Sequence, residues 1–174
     1  MKLKMGKFFG KKFITKNPSE TRKIGKNFAK ALLFNFPKEK AVVLVLVGEL
    51  GTGKTTFLQG FAKGLGLNTK IQSPTFIIMK PYSFSYKTKS QKDLTKGKFY
   101  HIDCYRIKKP QELLNLGFKD LISNPYNIIA IEWGDKIQSI IPHKSFWIYF
   151  KHRSPSQREI LFKKIVEKQI DANS

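Results

Sequence analysis

The sequence holds one cysteine, Cys104, so no disulfide can close within the chain, which suits a reducing compartment. No apolar run approaches the roughly 20 residues that cross a bilayer. Near the start, Phe8-Phe9 is too short for the apolar core of a secretory signal. These absences lead to the expectation of a cytoplasmic protein without membrane contact. Arginine is scarce: Arg22, Arg106, Arg153 and Arg158 stand among 33 basic residues, the rest being lysine. Acidic residues number only 12, leaving a formal net charge of +21. Such a charge attracts phosphate backbones, yet lysine lacks the planar fork that binds phosphates or bases bidentately. Two readings stay open, a non-specific RNA contact and a lysine-rich solvated surface. His143 and His152 have no cysteine or second histidine at ligand spacing, which argues against zinc.

What is present suits one folded domain. A hydrophobic content of 41% over 174 residues suffices for a sizeable core. Residues 1–12 read as a basic tail and residues 13–174 as a single domain. A short strand is expected at 13–15. Asn17-Pro18-Ser19-Glu20 then opens a helix, with Ser19 as cap and Pro37 as terminator. Residues 41–47 (AVVLVLV) form a β-branched run with no polar face, the mark of a parallel strand buried on both sides. Residues 54–64 carry apolar positions at helical spacing. Strands are expected at 76–79 and 98–102 around a polar loop at 83–97, and a short helix at 110–117 ended by Gly117. A buried strand at 127–132 (NIIAIE) follows, then late strands at 146–150 and 159–162 around the turn 154–156. Alternating strands and helices indicate an α/β layered fold with a central, mostly parallel sheet flanked by helices.

Gly48-Glu49-Leu50-Gly51-Thr52-Gly53-Lys54-Thr55 matches the phosphate-loop pattern G-x-x-x-x-G-K-S/T at every fixed position. The buried strand delivers the chain into the turn. Glycines at 48, 51 and 53 allow a close anion approach that a Cβ would block. Successive N–H groups and the N-terminus of the next helix face the phosphates, and Thr56 continues that first turn. Lys54 is expected to reach the β and γ phosphates of ATP, and the Thr55 hydroxyl to ligate Mg2+. A metal-side carboxylate comes from Glu132 at the end of the second buried strand, because strand C-termini gather at the ligand crevice of such sheets. In His101-Ile102-Asp103-Cys104-Tyr105-Arg106, strand alternation puts His101, Asp103 and Tyr105 on one face. Asp103 there could orient a water, or belong to a surface hydrogen-bond network. Ser73-Pro74-Thr75-Phe76 offers hydroxyls that could sense a γ-phosphate, or simply a turn into a strand.

The ordered set TRKIG (with Thr21 and Gly25), GELGTGKTTF, SPTF at 73–76, HIDCYR at 101–106 and IEW at 131–133 resembles the TsaE family, also called YjeE. That family supplies the small ATPase of bacterial tRNA threonylcarbamoyladenosine biosynthesis. The resemblance runs from about Thr15 to Phe162. It implies Lys54 and Thr55 for phosphate and magnesium, Glu132 beside the metal, and a catalytic or metal-water role for Asp103. It further implies Thr75 as a nucleotide-responsive switch, Trp133 as a functional neighbour, Thr21 near the nucleotide and Arg158 near the base. The implied partners are TsaD and TsaB, the transferase complex that the ATPase resets, with any tRNA contact indirect or non-specific. Two features depart from the pattern, the long polar segment between Phe76 and His101 and the lysine tail.

Rival readings are a small-molecule phosphotransferase, a GTP switch and an RNA-binding protein with an idle loop. The first lacks a visible arginine-bearing lid. The second lacks the guanine-selective N-K-x-D pattern, and the third rests on charge alone.

Overall fold

The computed structural model describes residues 5–34, 39–87 and 94–164. In chain order the strands are β1 (Lys12–Thr15), β2 (Val42–Val47), β3 (Met79–Tyr86), β4 (Thr95–Asp103), β5 (Asn127–Glu132), β6 (Phe146–His152) and β7 (Arg158–Lys164). The helices are α1 (Pro18–Phe34), α2 (Lys54–Gly64), α3 (Pro110–Asn115) and α4 (Phe118–Ser123), with 3-10 segments at Met5–Lys7 and Gly134–Ile140. Among the described residues, seven strands make one sheet in the order β1-β7-β6-β2-β5-β4-β3. Its centre, β6-β2-β5-β4, is parallel. Both edges are antiparallel, β1 and β7 at one side and β3 at the other.

Every residue of β5 and all but the last of β2 are buried. The apolar run of β2 and the apolar centre of β5 (Ile128–Ile131) therefore fill two layers at once. On one face Phe28, Phe57, Phe61, Phe99 and Phe162 join α1 and α2 to the sheet. On the other, Ile129, Ile131 and Trp147 meet Leu113, Phe118 and Ile137 from α3, α4 and the second 3-10 segment. The register sets Leu46 and Asp103 opposite Glu132 on either side. The C-terminal ends of β2, β4 and β5 are thereby level, and the chemistry-bearing residues emerge along one rim.

Several expectations need correction. Phe8, expected in a basic tail, is buried against Phe13, Phe28 and Phe162, because an aromatic pair between lysines can bury its rings while the ammonium groups stay in water. The cap of α1 is Asn17, not Ser19. Asn17 Oδ1 accepts the Glu20 N–H at 3.0 Å while Glu20 accepts the Lys16 N–H at 2.8 Å, and Pro18 occupies the first helical position. The strand expected at 76–79 begins only at Met79, because Ile77 N–H bonds back to Pro74 O and closes a turn. It then runs through Ser83 and Ser85, which were read as loop. Tyr82, Phe84 and Tyr86 alternate with those serines and bury one face. Gly117 ends α3 but also opens α4 with a left-handed φ of 81°. Tyr105 does not share a strand face with His101 and Asp103, since β4 stops at Asp103. Pro37, residues 1–4 and the tip of the 83–97 segment lie outside the described residues. No helix among the described residues is long and apolar enough to cross a membrane.

Candidate nucleotide site

The phosphate loop leaves β2 and enters α2 with Gly53 at φ 97°. A Cβ on Gly48 would stand 2.4 Å from Phe150 O, so the loop can lie this close to β6 only with glycine there. The loop is braced from inside and out. Thr52 Oγ1 donates to Glu49 O at 2.7 Å, His152 Nε2 to Leu50 O at 3.1 Å and Arg158 Nε to Gly51 O at 3.2 Å. Arg158 also donates to the carbonyls of Ser154, Pro155 and Gln157, so its guanidinium ties the β6–β7 turn to the loop. Thr21 is buried and shares a hydrogen bond with Thr15, and its methyl would lie 3.6 Å from a Cβ on Gly53.

Lys54 is buried and folds back onto its own loop, donating to Gly48 O at 2.6 Å and Glu49 O at 2.9 Å. Its Nζ also sits 4.1 Å from the centre of the Trp133 ring, at cation–π distance. Burial lowers the Lys54 pKa, and the carboxylates of Glu132, Asp103 and Asp135 partly oppose that shift. Thr55 Oγ1 donates to Glu132 at 2.8 Å (Oε1) and 3.1 Å (Oε2), across 77 residues of sequence. Giving its hydrogen to the carboxylate leaves the hydroxyl's lone pairs free for a cation. Hard oxygens of this kind suit Mg2+, which takes few protein ligands and keeps phosphate oxygens and waters. Thr55 and Glu132 therefore fit magnesium on a nucleotide. No group of three or more His, Cys, Asp or Glu that could hold a metal ion is found among the described residues.

Asp103 stands beside Glu132, buried and held by three donors. Ser73 Oγ and Thr75 Oγ1 (2.7 Å) both donate to its Oδ2, and the Tyr105 N–H donates to Oδ1 at 2.9 Å. These groups, with Gly51, Thr56 and Trp133, line an open cleft of about 340 Å³. Two residues hold left-handed backbone conformations without being glycine, Trp133 (φ 59°) in the cleft wall and Ile78 (φ 62°), whose carbonyl accepts the Asp103 N–H. For a β-branched residue such as Ile78 this is a true outlier, and strain of this sort gathers at switch segments. Tyr105 packs on Trp133 with ring centres 5.2 Å apart, and Lys136 Nζ donates to Tyr105 O. Cys104, in contrast, is fully buried and its thiol is pushed up to about 12 by that burial, so it is inert at neutral pH.

The family model described as "Threonylcarbamoyl adenosine biosynthesis protein TsaE" matches residues 15–160. The chain belongs to the TsaE family. Two curated relatives carry the name tRNA threonylcarbamoyladenosine biosynthesis protein TsaE. That of Bacillus subtilis is 36% identical over 151 residues, 87% of this chain and 84% of its own length. That of Haemophilus influenzae is 37% identical over 120 residues, 69% and 68% of the two chains. Among solved structures, the crystal structure of Bacillus subtilis YdiB superposes with a TM-score of 0.65 at 31% identity, covering 90% of this chain and 86% of that one.

Of the site residues named from sequence, this TsaE-family chain gathers Lys54, Thr55, Thr56, Thr75, Asp103 and Glu132 around one cleft. Thr21 and Arg158 touch the loop from behind rather than lining the cleft. Glu49 is exposed on the loop's outer turn, while Leu50, also exposed, lines the cleft with Gly51 and Gly53. Ser73, read with Thr75 as a hydroxyl pair, shares the Asp103 oxygen with it. Two participants went without a role in the sequence reading: His152 braces the loop, and His101 Nε2 lies 2.9 Å from Glu132 Oε1. A histidine two residues before an aspartate on a strand neighbouring IEW was the available signal for the last.

Proposed function

We propose that this chain binds ATP with magnesium, hydrolyses it to ADP and phosphate, and serves tRNA threonylcarbamoyladenosine biosynthesis by resetting the TsaD–TsaB transferase between rounds. The observation that carries the reading is the Thr55–Glu132 contact. It joins the phosphate loop to the carboxylate of the neighbouring strand, with Lys54 one residue away. Lys54 would turn from the Gly48 and Glu49 carbonyls to the β and γ phosphates, while the loop N–H groups and the start of α2 hold the remaining phosphate charge. Magnesium, held by Thr55 and directly or through water by Glu132, would neutralise charge on the β and γ phosphates. Hydrolysis forms a bond from water oxygen to the γ-phosphorus and breaks the bond to the β–γ bridging oxygen, the water's protons passing to phosphate and solvent. Asp103 is the group to orient that water. To do so its Oδ2 must be released by Ser73 and Thr75, which makes the 73–78 segment a switch.

The Asp103→Asn variant keeps the size of the side chain but replaces one acceptor oxygen with an NH2 donor and removes the charge, which weakens the water's partner. Its turnover is expected to fall about 100-fold, within the usual range for a positioned acid–base group, with nucleotide affinity changed by less than about threefold. Equal wild-type and variant rates in single-turnover hydrolysis would remove Asp103 from the reaction.

The cleft mouth supports a protein partner. Leu50 (77% exposed) and Phe76 (85% exposed) stand out beside Ile77 and Tyr105, an apolar rim that water alone disfavours. The Arg106 guanidinium lies 4.5 Å from the centre of the Phe76 ring. An aromatic under an arginine is a common anchor of protein interfaces. Phe76→Ala is expected to cut partner-stimulated turnover by about tenfold or more, the cost of losing one hot-spot side chain. The basal rate is measured alongside, and an equal loss in both would point to loop damage rather than docking.

The deciding experiment is magnesium-ATP hydrolysis with and without purified TsaD–TsaB and substrate tRNA. Stimulation by the pair is expected. Unchanged turnover together with no binding to the pair would return the chain to the phosphotransferase reading.

A further inference from the structure

We propose that His101 is a positioning residue for Glu132, and through it sets how strongly magnesium tightens nucleotide binding. The inference rests on the ATP–magnesium reading above. His101 has no side-chain exposure and Glu132 only 4%. Their contact, Nε2 to Oε1 at 2.9 Å, has a carboxylate on one side, so Nε2 carries the hydrogen and donates. The sheet explains the reach: His101 lies opposite Ala130 on parallel neighbours, one pleat behind the Asp103–Glu132 pair, so its ring extends forward to the carboxylate. Glu132 then receives two side-chain donors, Thr55 at the loop and His101 from the sheet.

The other ring nitrogen argues for function. His101 Nδ1 is buried with no hydrogen-bond partner among the described residues. A half-satisfied imidazole is a poor choice for core stability, where a side chain without polar atoms leaves nothing unpaired. What the ring provides is the Nε2–H on Glu132. A buried carboxylate deprived of one of two donors is both less well solvated and free to turn about its terminal bond. Thr55 gives its hydroxyl hydrogen to that same carboxylate, so the orientation of the hydroxyl lone pairs follows Glu132. His101 thus governs both protein groups that face the metal.

The test compares wild type with His101→Asn and His101→Leu, which cannot donate at that point, and with His101→Gln, whose longer amide can. The readout is the affinity of a mant-labelled β,γ-imido ATP, measured by fluorescence anisotropy in magnesium and again in EDTA. In His101→Asn and His101→Leu the magnesium-dependent gain is expected to shrink by about 10–100-fold, as for other partners of metal ligands. The EDTA affinity should stay within about twofold, and His101→Gln should recover most of the gain. Thermal melts identify the folded variants, and either donor-less variant suffices. A folded His101→Asn or His101→Leu with the wild-type magnesium gain overturns the proposal, as does an affinity loss of equal size in EDTA. A wild type that binds no more tightly in magnesium than in EDTA instead refutes the ATP–magnesium reading itself.

Discussion

Lys54→Met is expected to weaken ATP binding by roughly a hundredfold, through the loss of about 3 kcal/mol in charge-assisted contacts to the phosphates, without lowering the thermal stability of the nucleotide-free protein. The two halves have different causes. Toward ATP, Lys54 is the single cation the loop itself carries, and methionine keeps its length without its charge. Toward folding, the ammonium group is a burden. Burial depresses its pKa below the ordinary 10.5, and the Glu132, Asp103 and Asp135 carboxylates only partly compensate. A lysine with a depressed folded pKa binds its proton less firmly folded than unfolded. Between that depressed value and 10.5 the unfolded chain holds more protons, so stability rises with pH across this window. Below it, the cost of the buried charge is present in full. Methionine removes that cost, and the Gly48 and Glu49 carbonyls it leaves lie on half-buried and exposed residues that water can reach. Calorimetric titration with ATP and thermal melts at neutral pH check the two halves separately. Retained affinity would remove Lys54 from phosphate binding, and a melting point lowered by several degrees would show its loop hydrogen bonds outweighing the desolvation.

The same contrast between strong and weak local signals governs what could be read from sequence. The helix at Lys54–Gly64 and the strand at Asn127–Glu132 stand where they were expected, because apolar residues at helical spacing after a glycine turn, and a short apolar run closed by a carboxylate, admit few other structures. The edge hairpin was misplaced for an equally physical reason. Its inward face is aromatic (Tyr82, Phe84, Tyr86) but its outward face is serine and lysine, and a half-exposed strand of that composition resembles a polar loop until its partner is known. The start of β3 depends on contacts no local pattern contains, since Ser73 and Thr75 are drawn to an aspartate 30 and 28 residues further on.

Within the site, residue types were legible and their partners were not. Glycines, Lys54 and Thr55 are announced by spacing, and Glu132 by its place at a strand end. That Lys54 turns back to its own loop, or that Arg158 clasps Gly51 O, depends on how β7 sits beside β6 and on space inside the cleft. The His101–Glu132 contact needs the parallel register of β4 against β5, which a single sequence leaves undetermined. Long-range register is the missing information in each case, and it decides which polar groups finally meet.

Gly60→Ala, a change that favours an isolated helix by about 1 kcal/mol, is expected to destabilise this protein by about 3 kcal/mol or more through overpacking. A Cβ at Gly60 would lie 1.9 Å from Arg22 O and 2.6 Å from Arg22 Cα, backbone atoms of α1 that cannot rotate aside. The crossing is tight from both sides, since a Cβ on Gly25 would meet Phe57 O at 2.2 Å. Relief requires α1 and α2 to separate, which opens the Phe28–Phe57–Phe61 contacts between them. At 2–4 °C per kcal/mol for a chain of this size, the melting point should fall by about 6–12 °C. The damage should also reach the nucleotide. Thr21 precedes Arg22 on α1, and its methyl and hydroxyl rest between Gly53 and Thr15, so a displaced α1 withdraws the wall behind the phosphate loop. ATP affinity should drop by about tenfold even where the variant is fully folded, given how sharply small displacements act on positioned groups. Melting and titration on the same preparation separate the two effects. A melting point within about 2 °C of wild type would mean that the helices have room to spare, and that the glycine crossing does not position the loop.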